Sequence, residues 1–179
     1  MTDRMEMPNL ARDQQTMLAA WQQHTYAEFG LKNPDAALAV MTDDPYVLNI
    51  PSGTGGVGRA GVHQFYANQM LPSLPPDLEL VSLSQTFGHN RIVEEFVIRF
   101  THTLKMDWML PDVPVTGRKV EFALVGVIGF QNGKVASEHL YWDQATVLSQ
   151  LGILSYPAAA AGRGSAAQLL KLSARPVTV

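Results

Sequence analysis

An α+β fold, with helices laid on one face of a curved antiparallel sheet, is what this sequence predicts, and three features carry that expectation. The first 71 residues hold apolar side chains at helical spacing. From Leu78 onward the period changes to two. The period-two stretches are joined by hairpin signals, so they run antiparallel in succession rather than alternating with helices.

The elements follow in order. Residues 11–29 read as a helix with Met17, Leu18, Ala20, Trp21, His24 and Glu28 on one side, while Ala19, Gln22 and Gln23 point away. Gly30 ends it. Asn33-Pro34-Asp35 starts a second, short helix: Asn caps, Pro takes the first helical position, and Asp sits near the positive end of the dipole. Residues 46–50 form a strand, 51–61 a glycine-rich loop, and 61–71 a third helix carrying Val62, Phe65, Tyr66 and Met70. Pro72, Pro75 and Pro76 close that helix.

Four long strands come next, over 78–87, 91–104, 118–131 and 134–143. Gly88-His89-Asn90 is a tight turn, and Asn132-Gly133 is the type I′ hairpin pair. Between the middle two strands, 105–117 is a longer loop whose Met106, Trp108, Met109 and Leu110 fold back onto the body. The expected organisation is an N-terminal extension over 1–10, a domain over 11–154, and an Ala/Gly-rich tail over 155–179. In that tail, Ser165 to Leu172 form a last turn or two of helix.

The composition excludes more than it identifies. A chain of 179 residues is long enough to bury a core, and 46% apolar against 16% charged residues marks it as globular. The absence of cysteine removes disulfides, thiolate metal sites and a cysteine nucleophile. A net charge of −3 without a block of like charges gives no footprint for nucleic acid or an anionic membrane. With no apolar leader and no stretch of membrane-spanning length, a cytoplasmic protein is expected.

Gly53-Thr54-Gly55-Gly56-Val57-Gly58 satisfies the dinucleotide-binding spacing, yet its context opposes that assignment. Pro51 and Ser52 break the strand before the first glycine. Hairpins rather than parallel crossovers follow, and Asp77 falls at the start of a strand instead of its end. A flexible loop at a cavity rim is expected, with no nucleotide or other cofactor. A metal site from His24, His102 and His139 has no short-range ligand spacing behind it, so no metal is expected either.

Polar side chains on apolar faces mark the candidate site. His24 and Glu28 lie one helical turn apart beside Met17 and Trp21, and a buried carboxylate there favours the imidazolium. On the strand from Arg91, Glu94 and His102 interrupt the face of Ile92, Phe96, Ile98 and Phe100, while Glu95 and Arg99 are placed to pair on the other. If Asn132-Gly133 is a regular two-residue turn, Gly126 opposes His139, Leu124 opposes Tyr141 and Phe122 opposes Asp143. Ser137, His139 and Asp143 then share the face of Phe122 and Leu124, and Glu138 lies on the opposite one. Tyr46 and Asn49 on the first strand complete the candidate lining.

Taken together, Trp21, His24, Phe100-Thr101-His102-Thr103, Pro114-Val115-Thr116-Gly117-Arg118, Gly129 to Lys134 and Glu138-His139 with Asp143 resemble the SnoaL-like branch of the nuclear-transport-factor-two-like superfamily. The likeness covers roughly residues 14–154. It implies a conical, strongly curved sheet wrapped around the N-terminal helices, a pocket between sheet and helices, and a homodimer formed through the outer face of the sheet. In the family's polyketide cyclases an aspartate at the end of the last strand is the acid/base, and Asp143 stands at the matching position. The expected function is therefore binding of a small hydrophobic or aromatic carbonyl compound, with cofactor-free cyclase or isomerase chemistry. Asp143 or His139 would move the proton, and His102, His24 or Tyr46 would stabilise the enolate. The alternative is a non-catalytic ligand-binding or protein-interaction module of the same fold.

Overall fold

The computed structural model describes residues 10–155 and 164–173. Apart from Leu10 the N-terminal extension lies outside these residues, as does the alanine run of the tail.

Helix α1 (Arg12–Thr25) continues as one wider π-helical turn over Tyr26–Gly30. In α2 (Pro34–Ala39), the Asn33 side chain accepts the Ala36 amide, as the Asn-Pro-Asp signal predicts. Strand β1 spans Met41–Asn49, β2 Thr54–Val57, and α3 Gly58–Phe65. A second π-helical turn, Tyr66–Met70, and a short tight turn, Leu71–Ser73, extend α3 as far as the prolines. Then come β3 (Glu79–Phe87), β4 (Arg91–Thr101), β5 (Lys119–Gln131), β6 (Lys134–Trp142), α4 (Gln144–Gln150) and α5 (Ser165–Ser173). No described helix is long and apolar enough to cross a membrane.

The six strands form one curved sheet in the order β2-β1-β6-β5-β4-β3, with the helices against its inner face. Strands β3 to β6 are an antiparallel meander. One feature departs from the all-antiparallel expectation: β1 lies parallel to β6, which closes the sheet around α1 and α3. That pairing lets β1 begin at Met41 and run through Asp43-Asp44-Pro45 with a register shift, where the sequence suggests a break.

The glycine-rich segment is a hairpin rather than a loose loop. Residues Tyr46–Asn49 pair with Thr54–Val57. A Cβ on Gly56 would lie 2.4 Å from the Gly61 carbonyl oxygen, so glycine there lets β2 pack directly on the start of α3. The glycine spacing is thus accounted for by backbone packing.

One irregularity decides which side chains face inward. The Asn132-Gly133 turn has the positive φ angles of a type I′ hairpin, 52° and 75°, and Gln131 pairs with Lys134 as expected. Phe130 then pairs with Val135, but Gly129 pairs with Ser137, which leaves Ala136 as a bulge. Gly129 accommodates the shift, because a Cβ there would sit 2.4 Å from the Ser137 hydroxyl. Beyond the bulge Glu138 opposes Ile128, Leu140 opposes Gly126 and Trp142 opposes Leu124. The face assignment expected for an unbulged hairpin is therefore reversed. Glu138 points in, while Ser137, His139 and Tyr141 point out.

Candidate functional site

Three elements bring a polar cluster to the centre of this core. From α1 comes His24, with Glu28 one turn on, inside the first π-helical turn. Tyr66 opens the second π-helical turn. Glu138 comes from β6, turned inward by the bulge. All four are buried. π-Helical turns recur at functional sites because the extra residue re-aims a side chain, and both such turns here carry a member of the cluster.

The hydrogen bonds fix the chemistry of the imidazole. His24 Nδ1 lies 3.0 Å from the Ala37 carbonyl oxygen, which can only accept, so Nδ1 carries a proton. Nε2 therefore faces the carboxylates, 2.9 Å from Glu138 Oε1 and 3.4 Å from Glu28 Oε1. The Tyr66 hydroxyl donates to Glu138 Oε1 at 3.0 Å and lies 3.2 Å from His24 Nε2. The indole of Trp21 stacks on His24, with centroids 5.7 Å apart and planes at 15°.

Electrostatics follow from this packing. Burial pushes the His24 pKa down, but the Glu138 and Glu28 carboxylates outweigh it and hold it well above the ordinary value. Burial raises the Glu28 pKa; His24 opposes that shift and Glu138 reinforces it. Burial, with Glu138 and Glu28 adding, pushes the Tyr66 hydroxyl up as well. His24 thus holds its proton more readily than an ordinary imidazole, and Glu28 more readily than an ordinary carboxyl.

A cavity opens on this cluster. Its lining is almost wholly apolar, with Phe96, Phe100, Phe122, Leu124, Trp108 and Trp142 prominent. The side chains in the lining with an ionisable or hydroxyl group are Thr25, Glu28, Tyr66 and Glu138. Its volume is about 50 Å³, below the roughly 300 Å³ of a drug-sized site. The cover is the β4–β5 loop, whose Met106, Trp108, Met109 and Leu110 are buried as the sequence predicts. The Trp108 carbonyl accepts from Ser52 at 2.9 Å and from Thr54, and the Met109 carbonyl accepts from Gln144 at 3.0 Å. Buried Trp108 Nε1 has no partner among the described residues.

The residues singled out from sequence separate into distinct places. Trp21, Glu28, Phe122 and Leu124 line the cavity, and His24 stands directly behind it. Glu94 is inward and buried; it accepts hydrogen bonds from Trp21 Nε1 and Ser82. Asn49 is buried on β1 and donates to Thr54 at 3.2 Å. His102 is buried past the end of β4, 3.2 Å from Thr116 and outside the cavity lining. Glu95 accepts from Ser84 at 2.6 Å, and Arg99 pairs with Glu79 at 2.7 Å rather than with Glu95.

His139, Ser137, Tyr141 and Tyr46 are on the outer face, where Tyr46 meets His139 Nε2 at 2.9 Å. Asp143 is exposed at the N-cap of α4, where its carboxylate accepts from the Ala145 amide at 2.9 Å and from Thr146 at 2.6 Å. Neither His139 nor Asp143 lines the cavity, because the bulge turns one outward and the strand ends before the other. Sequence reasoning passed over Tyr66 and left Glu138 on the wrong face. Their signals, a π-helical turn and a bulge, have no residue signature here.

An inward-curving sheet closed by helices over an apolar cavity, with an ionisable cluster at its base, defines a small-ligand α+β class of fold. Within that class the chain belongs to a named family: the model described as SnoaL-like polyketide cyclase matches residues 14–151. The fold is shared with a candidate SnoaL-like polyketide cyclase from Jannaschia sp. CCS1, at 16% identity over 83% of this chain and 100% of that one, with a TM-score of 0.66. It is shared too with TerC co-crystallised with polyporic acid, at 15% identity over 76% and 98%, TM-score 0.57. A Catenulispora acidiphila protein with a ketosteroid isomerase-like fold, in complex with trimethylamine, matches at 14% identity over 79% and 97%, TM-score 0.57. No curated protein sequence matches the chain.

Proposed function

We propose that the protein binds a small hydrophobic carbonyl compound in the cavity and transfers a proton at the carbon next to the carbonyl. The carrying observation is the segregation of the lining: proton-exchanging groups at one end, Glu28, Tyr66 and Glu138, and aromatic and aliphatic side chains elsewhere. An apolar body would lie among Phe96, Phe122 and Leu124 while its carbonyl end meets the cluster. Glu28 is the proton-transfer group, because it faces the cavity and its burial matches it to proton exchange nearer neutrality. The Tyr66 hydroxyl donates to the developing enolate oxygen, as it does to Glu138 in the free protein. The small closed volume means that an aromatic ligand displaces the Met106–Leu110 cover.

This role replaces the one expected for Asp143, whose carboxylate is committed to capping α4. A homodimer through the outer face of the sheet belongs to the same reading and is supported by exposed Tyr46, Leu48 and Tyr141.

The test is solvent-deuterium exchange at the α-carbon of a panel of aryl ketones and cyclic diketones, followed by NMR in the presence of EDTA. Exchange above the buffer rate, lost at least tenfold in Glu28→Gln, is expected. Ketones that bind and shift the tryptophan fluorescence without any exchange would establish the non-catalytic binding module instead.

A further inference from the structure

The same cluster has a second property that proton transfer does not require. Three potential ligand atoms, one imidazole nitrogen and an oxygen from each of two carboxylates, lie within 4.8 Å of one another, all on buried residues. Donors bound at about 2.1 Å to one ion are separated by about 3.0 Å at a right angle and about 3.4 Å at a tetrahedral angle. His24 Nε2 is 2.9 Å from Glu138 Oε1 and 3.4 Å from Glu28 Oε1. These are the spacings of neighbouring ligands on one ion.

The surroundings are also those of a metal ligand set. Nδ1 of His24 is held by the Ala37 carbonyl, so loss of the Nε2 proton leaves a lone pair on Nε2, on the side of the carboxylates. Tyr66 hydrogen-bonds the Glu138 oxygen and so orients it. Two carboxylates and a neutral imidazole balance a divalent cation in a site with no other charge in contact. Glu94 reaches the cluster only through the Trp21 indole. One nitrogen and two carboxylate oxygens, without a thiolate, suit a borderline-to-hard ion.

We propose that His24, Glu28 and Glu138 bind one divalent first-row transition ion, of the Mn²⁺, Fe²⁺ or Zn²⁺ kind, with an open coordination position facing the apolar cavity. Glu28 and Glu138 both line that cavity, so an oxygen of a bound ligand can take the open position. The inference does not depend on proton transfer, since the ion would bind without substrate. It has a pH signature: all three ligands bind metal only when deprotonated, so affinity rises with pH. The other titratable group facing them is Tyr66.

The experiment uses the full, untagged chain stripped with EDTA and dialysed, then titrated calorimetrically with Mn²⁺, Zn²⁺ or anaerobic Fe²⁺ at pH 7.5. One ion per chain, a raised melting temperature and tighter binding at pH 8 than at pH 6.5 are expected. Glu28→Gln and Glu138→Gln should each weaken binding at least tenfold, while His63→Gln, on the surface beside Asp35, leaves it unchanged. Should a variant fail to fold, Co²⁺ added to the native chain supplies the readout, through visible d–d bands and a paramagnetic shift of the His24 ring signals. Absence of stoichiometric binding at about 100 μM metal, or binding that His63→Gln removes, overturns the proposal. Deuterium exchange that persists in EDTA while no ion binds overturns this inference alone and leaves the proton-transfer reading standing.

Discussion

Replacing Tyr66 with phenylalanine removes one oxygen from the middle of the cluster and nothing else. The ring is fully buried and stays so, which means no apolar surface is exposed and no side-chain-sized cavity forms. What is lost is the hydroxyl donated to Glu138 at 3.0 Å, with its contact to His24 at 3.2 Å. A buried hydrogen bond to a charged acceptor contributes about 1.5–3 kcal/mol. For a chain of this length that corresponds to a fall of about 3–12 °C in melting temperature. The assay is calorimetry on metal-stripped Tyr66→Phe, Glu138→Gln and the double variant. The two substitutions touch one hydrogen bond, so the cycle should show a coupling of about 1 kcal/mol or more. Tyr66→Phe within about 1 °C of the native melting temperature, together with additive effects, would refute the reasoning, because the cluster would then not act as one network.

Further outcomes follow from the rest of the fold. Asp143→Ala should cost about 1 kcal/mol as a lost helix cap, readable in denaturant titration, and leave ketone exchange within about twofold of native. Gly56→Ala should destabilise by about 3 kcal/mol or more, because its Cβ meets the Gly61 backbone. Gly53→Ala, at φ 68° with open space around it, should cost only the about 1–2 kcal/mol of a left-handed backbone. Burial lowers the His102 pKa below its ordinary value of 6.5. The native chain therefore binds fewer protons there than the unfolded chain does. Stability from this residue is complete above pH 6.5 and is lost as pH falls towards the folded value. Ring NMR signals of His102 should titrate below 6.5, and a midpoint above it would contradict this.

Much of the architecture was legible because local chemistry and tertiary structure agree. Asn33-Pro34-Asp35 starts α2, Asn132-Gly133 turns β5 into β6, and alternation from Leu78 marks the meander. The unread parts are those where pairing overrides propensity. β2 is half glycine, so its strand character comes from pairing with β1 and not from its side chains. β1 crosses Asp43-Asp44-Pro45 because β6 offers it a parallel partner. In the site, His24 and Glu28 were visible as neighbours one turn apart, whereas Glu138 lies more than a hundred residues further on. A single bulged alanine decides whether Glu138 or His139 faces the cavity, and Ala136 carries no mark of that role. Only after that bulge is placed do the ionisable side chains of α1, α3 and β6 converge.

The central claim is that the working face is the inner one, at Glu28, Tyr66 and Glu138. A crystal structure of the protein soaked with an aryl ketone such as 1-tetralone tests it directly. The rings are expected among Phe96, Phe122 and Leu124, with the Met106–Leu110 cover displaced and the carbonyl oxygen within hydrogen-bond reach of Tyr66 or Glu28. A ketone seated instead on the outer face, against His139 or Asp143 with the inner cavity closed, would contradict it.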